Sequence, residues 1–442
     1  MLHTFNAEGS AALAGPPWLR DRRAAGVVAL EASAMPSERE EVWRYTPIDE
    51  LKLDEFAPVT ASPGPLPVEG EIFRELVLSI LGRVSGEAVV HNGYPLSFRT
   101  DDVESGLVFG GCNDDAGGRE MVGGVQVGGD ALVLLNDAFL PDAVLIDVPA
   151  GVVVSDPILV LHWCAGSEDP GAGSAILPRT CIRLGDGARV AVVEVYAGPL
   201  NTVRSLVVPV AELSAGEEAS LSYVSLQILN DATWSIARLA ARGGAGSMVR
   251  TFSAGLGGAY DRVRSDVSVE GRGARSEILS TYLGNGTQVH DIRTLQDHVA
   301  PRTNSELLCQ GAVAGTSRSV YSGLIRVHRG AVRSDARQTN HNLVLDEGAH
   351  ADSVPNLDIL ENDVKCSHAS TVGPIDEDQR YYIESRGVAP DVAEGLIVQG
   401  FFDHIIDRGP IPAVMPLLKR EVHARLDLAF GNRRVLREAV DV

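Results

Sequence analysis

Lysine is almost missing from this chain: of its 38 basic residues only Lys52, Lys365 and Lys419 are not arginine. That bias is read as composition rather than as a binding feature, because the formal net charge is still −21. A surface this acidic repels phosphate backbones and anionic bilayers, so nucleic acid and membrane are excluded as expected partners. Long apolar runs are missing too. The most apolar stretch, 143–163, is interrupted by Asp147, Pro149 and Asp156 and cannot supply ~20 consecutive apolar residues for a spanning helix. Residues 1–15 have no basic start followed by an apolar run, so a cytoplasmic location is expected.

The five cysteines (Cys112, Cys164, Cys181, Cys309, Cys366) are odd in number, widely spread and never spaced C-x-x-C. This excludes a zinc knuckle and a thioredoxin-type pair, and predicts free thiols serving mostly as core filler. Cys181, inside the run Thr180-Cys181-Ile182-Arg183-Leu184, reads as a buried strand position. Phosphate-loop, dinucleotide-fold, zinc-protease and nucleophile-elbow motifs are all missing, and no carboxylate pair stands out for acid–base chemistry. The expectation is a protein that is not an enzyme and has no catalytic residues.

What is present is enough apolar material, 45% of 442 residues, for two or three structural units. The first 85 residues read as helical, with Ser37-Glu38-Arg39-Glu40 as a capping box and a helix over 69–83 carrying Ile72, Leu76, Val77 and Ile80 on one face. A strand pair turning at Asn92-Gly93 follows over 88–110, then a glycine-rich loop over 111–127 expected to be mobile. From Pro141 the chain is strand after strand. Corners at Gly185-Asp186-Gly187, Gly216, Gly243-Gly244 and Gly271 recur about every 28–30 residues, and later ones at Gly315, Gly330 and Gly348 about every 15–18. Strands with regular corners and no helix between them point to a β-solenoid, while a sandwich or a propeller would also give many short strands. Helices return at Asp376, at Pro390 and over 416–430, and the second carries Leu396, Ile397, Phe401 and Ile405 as an apolar stripe. The domain layout expected is 1–140 mostly helical, 141–375 solenoid and 376–442 helical.

The densest group of metal-capable side chains lies between Thr339 and His368. Alternation along an extended run points His341 opposite to Asn340 and Asn342, and His350 follows one turn later. Cys366 and His368 are two apart on one face, about 7 Å between Cα atoms in a strand, a spacing at which a thiolate and an imidazole can approach one soft or borderline metal. Lys365 nearby would favour the thiolate. Two ligands are too few for a closed centre, which takes about four. On the residues alone, packing is the commoner reading of Cys-x-His, and a metal would need further ligands from another subunit.

At this segment a resemblance enters. Asp363-Val364-Lys365-Cys366-Ser367-His368 through Gly373, then Asp376-Glu377-Asp378-Gln379 and Tyr382 to Gly387, closely resembles the SufD signature of the SufB/SufD family of the SUF iron–sulfur cluster assembly system. Supporting segments are Tyr321-Ser322-Gly323, Gln338-Thr339-Asn340-His341-Asn342, Pro355-Asn356-Leu357 and, near the start, Trp43-Arg44-Tyr45-Thr46. The resemblance implies a mainly β fold, a right-handed parallel β-helix flanked by N-terminal and C-terminal helical regions. It also implies a scaffold that pairs through its β-helix edge with a SufB-like paralogue or a second copy. Its C-terminal helices, with Leu396, Ile397, Phe401 and Ile405, would dock a SufC-like ABC ATPase. His368 and Cys366 match the family's interface histidine and cysteine, next to a transient iron–sulfur cluster at the subunit interface, with no cofactor held tightly by this chain alone. Ala369 replaces the usual glycine. The SufB pattern carries a cysteine near Asn340 and a glutamate near Ala369, and this chain lacks both. A structural adaptor without a metal role and a SufB-like primary scaffold are the alternatives; a β-helix polysaccharide lyase would need a secretion signal and more than the 5% of aromatic residues found here.

Overall fold

The structure is a computed structural model that describes residues 4–100, 106–113, 117–125, 128, 130–166, 173–199 and 204–440, with the backbone alone over 430–440. The strand runs that begin at Val144 are apolar on both sides, so each must be covered twice. Ile158–Trp163, for instance, is buried at all its positions. The chain meets this demand by coiling. Successive strands alternate between two sheets, of 12 and 10 strands, and each pairs parallel and in register with the strand one coil earlier. This is a parallel β-helix, and a sandwich or propeller is excluded by the parallel ladders.

Each coil turns two corners. One set has left-handed backbone at Gly187, Glu218, Gly246 and Gly273, the other at Gly258, Gly286 and Gly315. The shift in corner spacing seen in the sequence arises because its early corners are all of the first set, whereas its later ones alternate between both.

Alternation then sorts side chains. Ile182, Val192, Leu213, Tyr223, Ile278 and Tyr321 fill the space between the sheets. Val193, Leu226, Phe252 and Leu308 face outward from the 10-stranded sheet and are covered by helices Val68–Leu81, Pro390–Ile406 and Met415–Val440. The outer face of the 12-stranded sheet is covered near its start by helix Ala131–Phe139 and the segment that carries Trp43, Ile48, Leu53 and Phe56. Cys112, Cys164, Cys181 and Cys309 are buried free thiols, and Cys366 is half-buried.

Several local expectations are corrected. The first 85 residues are only partly helical: helices Ala7–Ala11, Pro17–Ala32 and Val68–Leu81 are separated by single 3-10 turns and a strand Phe56–Pro58. The Ser37 backbone N–H does donate to Glu40 (3.3 Å), but the chain continues into the 3-10 turn Glu41–Trp43, because Trp43 must reach the sheet. In Val68–Leu81 the inward face is Phe73, Val77 and Leu81, while Ile72 is exposed. The hairpin over Gly86–His91 and Tyr94–Thr100 turns at Asn92-Gly93 as expected, both with positive φ. The glycine-rich loop lies partly outside the described residues; its described part includes a short helix, Gly118–Met121. The last helix is longer than 416–430, running Met415–Val440.

The interior becomes polar toward the C-terminal end. His298, fully buried, meets Thr303 Oγ1 and Ser305 Oγ, each at 2.7 Å. Burial depresses its pKa to about 4, against a weaker opposing pull from Asp335. Tyr282 stacks on His290 and lies across the bare backbone of its register partner Gly311, reaching Ser319 and Asn342 with its hydroxyl.

Two outcomes follow from these contacts. A Cβ at Gly311 would sit 2.1 Å from the Tyr282 ring, so Gly311→Ala should destabilise the chain by about 3 kcal/mol, read from the urea midpoint. His298 takes its proton near pH 4 when folded and near 6.5 when unfolded, so the unfolded chain binds the extra proton between those values. Stability should therefore fall as pH drops through that window, by roughly 3 kcal/mol from this group. Urea titrations at several pH values should show a shallower slope there for His298→Gln.

Candidate functional site

A parallel coil stack can satisfy its backbone groups only through the coils before and after each strand, so a stack that stops leaves unpaired edges. Here it stops with His350–Ile359 as the last strand of the 12-stranded sheet and Lys365–Gly373 as the last of the 10-stranded sheet. Each is paired on one side, to Arg318–Val327 and Asp335–Val344 respectively. The two edges lie at one end of the β-helix. Leu357, Ile359, Leu360 and Val372 there are exposed to 39–51%, an apolar lining unusual for a bare edge.

Cys366 and His368 sit on this last strand, and its register places them beside Ala336 and Gln338, both buried. They share the side that faces the space between the sheets, as alternation requires. Their surroundings differ. Cys366 packs with Val364 against Ile325, Val327, Ala331 and Ala336. Burial raises its thiol pKa, helped by the charge of Asp335 and opposed by a backbone hydrogen bond at Ala336. The expectation that Lys365 favours the thiolate is corrected: Lys365 projects from the opposite side of the strand, and the shift runs upward. His368 is exposed and has no hydrogen bond or ion pair among the described residues.

The floor beneath His368 is polar. Gln338 is 1% exposed, and neither side-chain amide atom has a partner among the described residues. Asn340 donates to Ser353 Oγ at 2.9 Å, and Ser353 meets Ser370 Oγ at 2.6 Å. Sequence reasoning did not select Gln338, Ser353 or Ser370; the strand alternation that exposed Cys366 and His368 as a pair would have found Ser370 and, one coil back, Gln338.

The other candidates are not gathered here. His341 projects outward, as alternation predicts, and meets Thr371 Oγ1 at 2.6 Å. Burial and the nearby His404 lower its pKa. His350 starts the other edge strand and pairs with Asp352 at 3.2 Å. Among the described residues no three His, Cys, Asp or Glu side chains meet closely enough to hold a metal ion.

The C-terminal helices offer a second surface. Asp376 caps helix Glu377–Ser385 by accepting from Asp378 N and Gln379 N. That helix buries nothing, leaving Tyr381 and Tyr382 exposed, while Arg380 ties it to Glu394 of the next helix. The predicted stripe on Pro390–Ile406 splits. Ile405 is fully buried beside Val398, Phe402 and Ile406 against the 10-stranded sheet. Leu396 is exposed, and Ile397 and Phe401 are half-buried. The helix is fastened to the sheet by His404 to Gln310 (2.9 Å) and Arg408 to Glu277 and Glu306 (3.0 and 2.8 Å). No helix among the described residues is long and apolar enough to cross a membrane.

Comparison with known proteins agrees with this architecture. Residues 166–401 match the family model described as SUF system FeS cluster assembly, SufBD core domain. The chain is 27% identical over 369 residues to the iron–sulfur cluster assembly protein SufD of Escherichia coli, covering 84% of each. It is 27% identical over 296 residues to SufD of Bacillus subtilis, covering 66% of each. A SufBD family protein of Synechocystis is 26% identical over 422 residues, 92% of this chain and 91% of that one. The matched segment spans most of the coils, the open edges and the first part of helix Pro390–Ile406, and the chain belongs to the SufBD core family of the SUF iron–sulfur cluster assembly system, as a SufD-type member.

Proposed function

We propose that this chain is a non-catalytic scaffold subunit, whose last two strands pair with those of a SufB-like paralogue or of a second copy, and which presents His368 and Cys366 to a cluster forming at that seam. The observation that carries the reading is the bare double edge: two strands that among the described residues are paired on one side only, lined by Leu357, Ile359 and Val372, with His368 exposed on one of them beside the polar floor. Edge-to-edge pairing would satisfy the backbone and bury that lining. It would also bring a second donor set opposite a half set that cannot close alone. The cluster is cargo, handed on once formed. His368 is the better donor, since its ring is accessible and the Cys366 thiol is held protonated by burial.

The helical end would dock a SufC-like ABC ATPase. What supports this is the exposure of Val392 and Leu396 on a helix whose opposite side is anchored to the sheet, and of Tyr381 and Tyr382 on the helix that Arg380 ties to it. The anchoring by Val398, Phe402 and Ile405 offers a route by which movement of the docked partner reaches the coils. A structural adaptor without a metal role is the second reading, favoured by one observation: Cys366 packs among aliphatic side chains.

Co-expression with SufB-like and SufC-like partners from one source separates the two readings. His368→Ala should leave complex assembly unchanged by size and lower bound iron and sulfide several-fold after anaerobic reconstitution; normal loading would favour the adaptor. Leu396→Glu combined with Tyr382→Ala should abolish co-purification of the ATPase while circular dichroism and melting of the β-helix stay the same. Ile405→Glu, by contrast, should destabilise the chain itself, by about 2–5 kcal/mol, because it places a charge in the packed layer.

A further inference from the structure

Away from the open edges, the outer face of the 12-stranded sheet carries an arrangement with an electrostatic cost. The register sets Arg238, Arg264 and Arg293 in one row on neighbouring strands, all on the outward side. Like charges directly across a ladder destabilise it unless they are compensated. Compensation here comes from shared carboxylates. Asp266 is shared by Arg238 (2.6 Å) and Arg264 (3.2 Å), and Asp291 by Arg262 and Arg293. Two carboxylates are thus each shared between two guanidinium groups, in a chain whose net charge is −21. Arg326, on the next strand but four positions further along than the row, is balanced by Asp358 at 3.1 Å.

The same arginines build a walled groove. Arg262 Nη2 donates to Val42 O and Arg293 Nη2 to Arg44 O, each at 2.9 Å. Arg262 also stacks on the Trp43 ring, 3.7 Å from its centroid. These contacts hold the segment 41–44 across the sheet as a fixed wall. Behind it lies a space of about 410 Å³, floored by Leu295 and Leu324 and edged by Ser322 and Asn356. That volume is within the range of small-molecule sites. Donors remain on its rim: Arg264 Nη1, Arg293 Nη1 and both Nη atoms of Arg326 have no hydrogen bond among the described residues. Arg264 and Arg326 are about a third exposed, so a ligand can reach them. The carboxylates lining the groove are Glu41 at its exposed rim and Asp266, already shared by two arginines.

We infer that this groove binds a small phosphate-bearing anion, held by Arg264, Arg293 and Arg326, with an apolar portion resting on Leu295 and Leu324. Guanidinium forks match the oxygens of a phosphate pairwise, and Arg264 and Arg293 at strand spacing with Arg326 further along the groove suit a ligand with more than one anionic group. The unused donors of Arg264, Arg293 and Arg326 supply the attraction, and the wall fixed by Arg262 and Arg293 removes the need to order it on binding. This site lies on the outer face of the other sheet from the C-terminal helices and does not involve His368 or Cys366, so it stands apart from the scaffold reading.

The test is calorimetric titration of the full chain with pyrophosphate and, separately, with inorganic phosphate, in moderate salt. Saturable binding of pyrophosphate, tighter than that of phosphate, is expected. Arg264→Gln with Arg326→Gln should weaken it tenfold or more, and Arg275→Gln, on the other sheet, should leave it unchanged. The single variant Arg326→Gln, on the most exposed ion pair, should show a smaller loss should the double variant melt early. No saturable heat with the wild type overturns the inference. So does binding of equal strength in the double variant, or weak binding that is the same for both anions and is abolished by modest salt.

Discussion

One constraint governs this molecule: a parallel strand has its backbone satisfied only when another strand lies on each side of it. The coil stack meets this constraint internally for every strand between the first and last coils, which is why register runs unbroken from Ser220–Gln227 through Lys365–Gly373. It cannot meet it at its own end. The open donors and acceptors of His350–Ile359 and Lys365–Gly373 are the unavoidable remainder of this way of folding. At the other end the parallel ladders are capped by antiparallel strands, Tyr94–Thr100 against Gly86–His91 on one sheet and Val108–Gly111 against Val144–Val148 on the other, which become the edges there.

From that asymmetry the division of surfaces follows. One end is capped by antiparallel pairs, one is open, and the two outer faces are covered by different material. Helices pack on the 10-stranded sheet through Val398, Phe402, Leu417 and Val422, and the N-terminal segment packs on the other through Trp43, Ile48 and Phe56. Neither cover is complete. The C-terminal helices leave Tyr381, Tyr382 and Leu396 exposed, and the N-terminal segment leaves the arginine-lined groove beyond Val42. Rigid coils between such surfaces keep them at constant separation, which suits a role in iron–sulfur cluster assembly that depends on holding groups in place.

The interior changes character along the same axis. Near the middle it is aliphatic, with Val192, Leu213 and Ile278. Toward the open end Gln296, His298, Gln338 and Asn340 take over, several with atoms that find no partner among the described residues. Buried polar atoms without partners cost stability; they also occur in earlier coils, at His162, Asp261 and His290, and those of Gln338 and Asn340 lie beneath His368.

How much of this could be read from the residues alone depends on the range of the interaction. Corner glycines and two-residue alternation are local, and they were enough to identify a solenoid, to point His341 away from Asn340 and Asn342, and to put Cys366 and His368 on one side of a strand. Helix capping at Asp376 and the hairpin at Asn92-Gly93 were legible for the same reason. The capping box at Ser37 misled because its local preference was overruled by the burial of Trp43. The stripe on Pro390–Ile406 was legible, but a helix that is apolar on most sides does not reveal which residues meet the sheet, and Ile405 is buried while Leu396 is exposed. Which residues stand next to each other across coils was decided only by the tertiary structure. The arginine row, the Gln338 floor beneath His368 and the burial of the Cys366 thiol all depend on register between strands a full coil apart, and register is set by the summed fit of every coil rather than by any one segment.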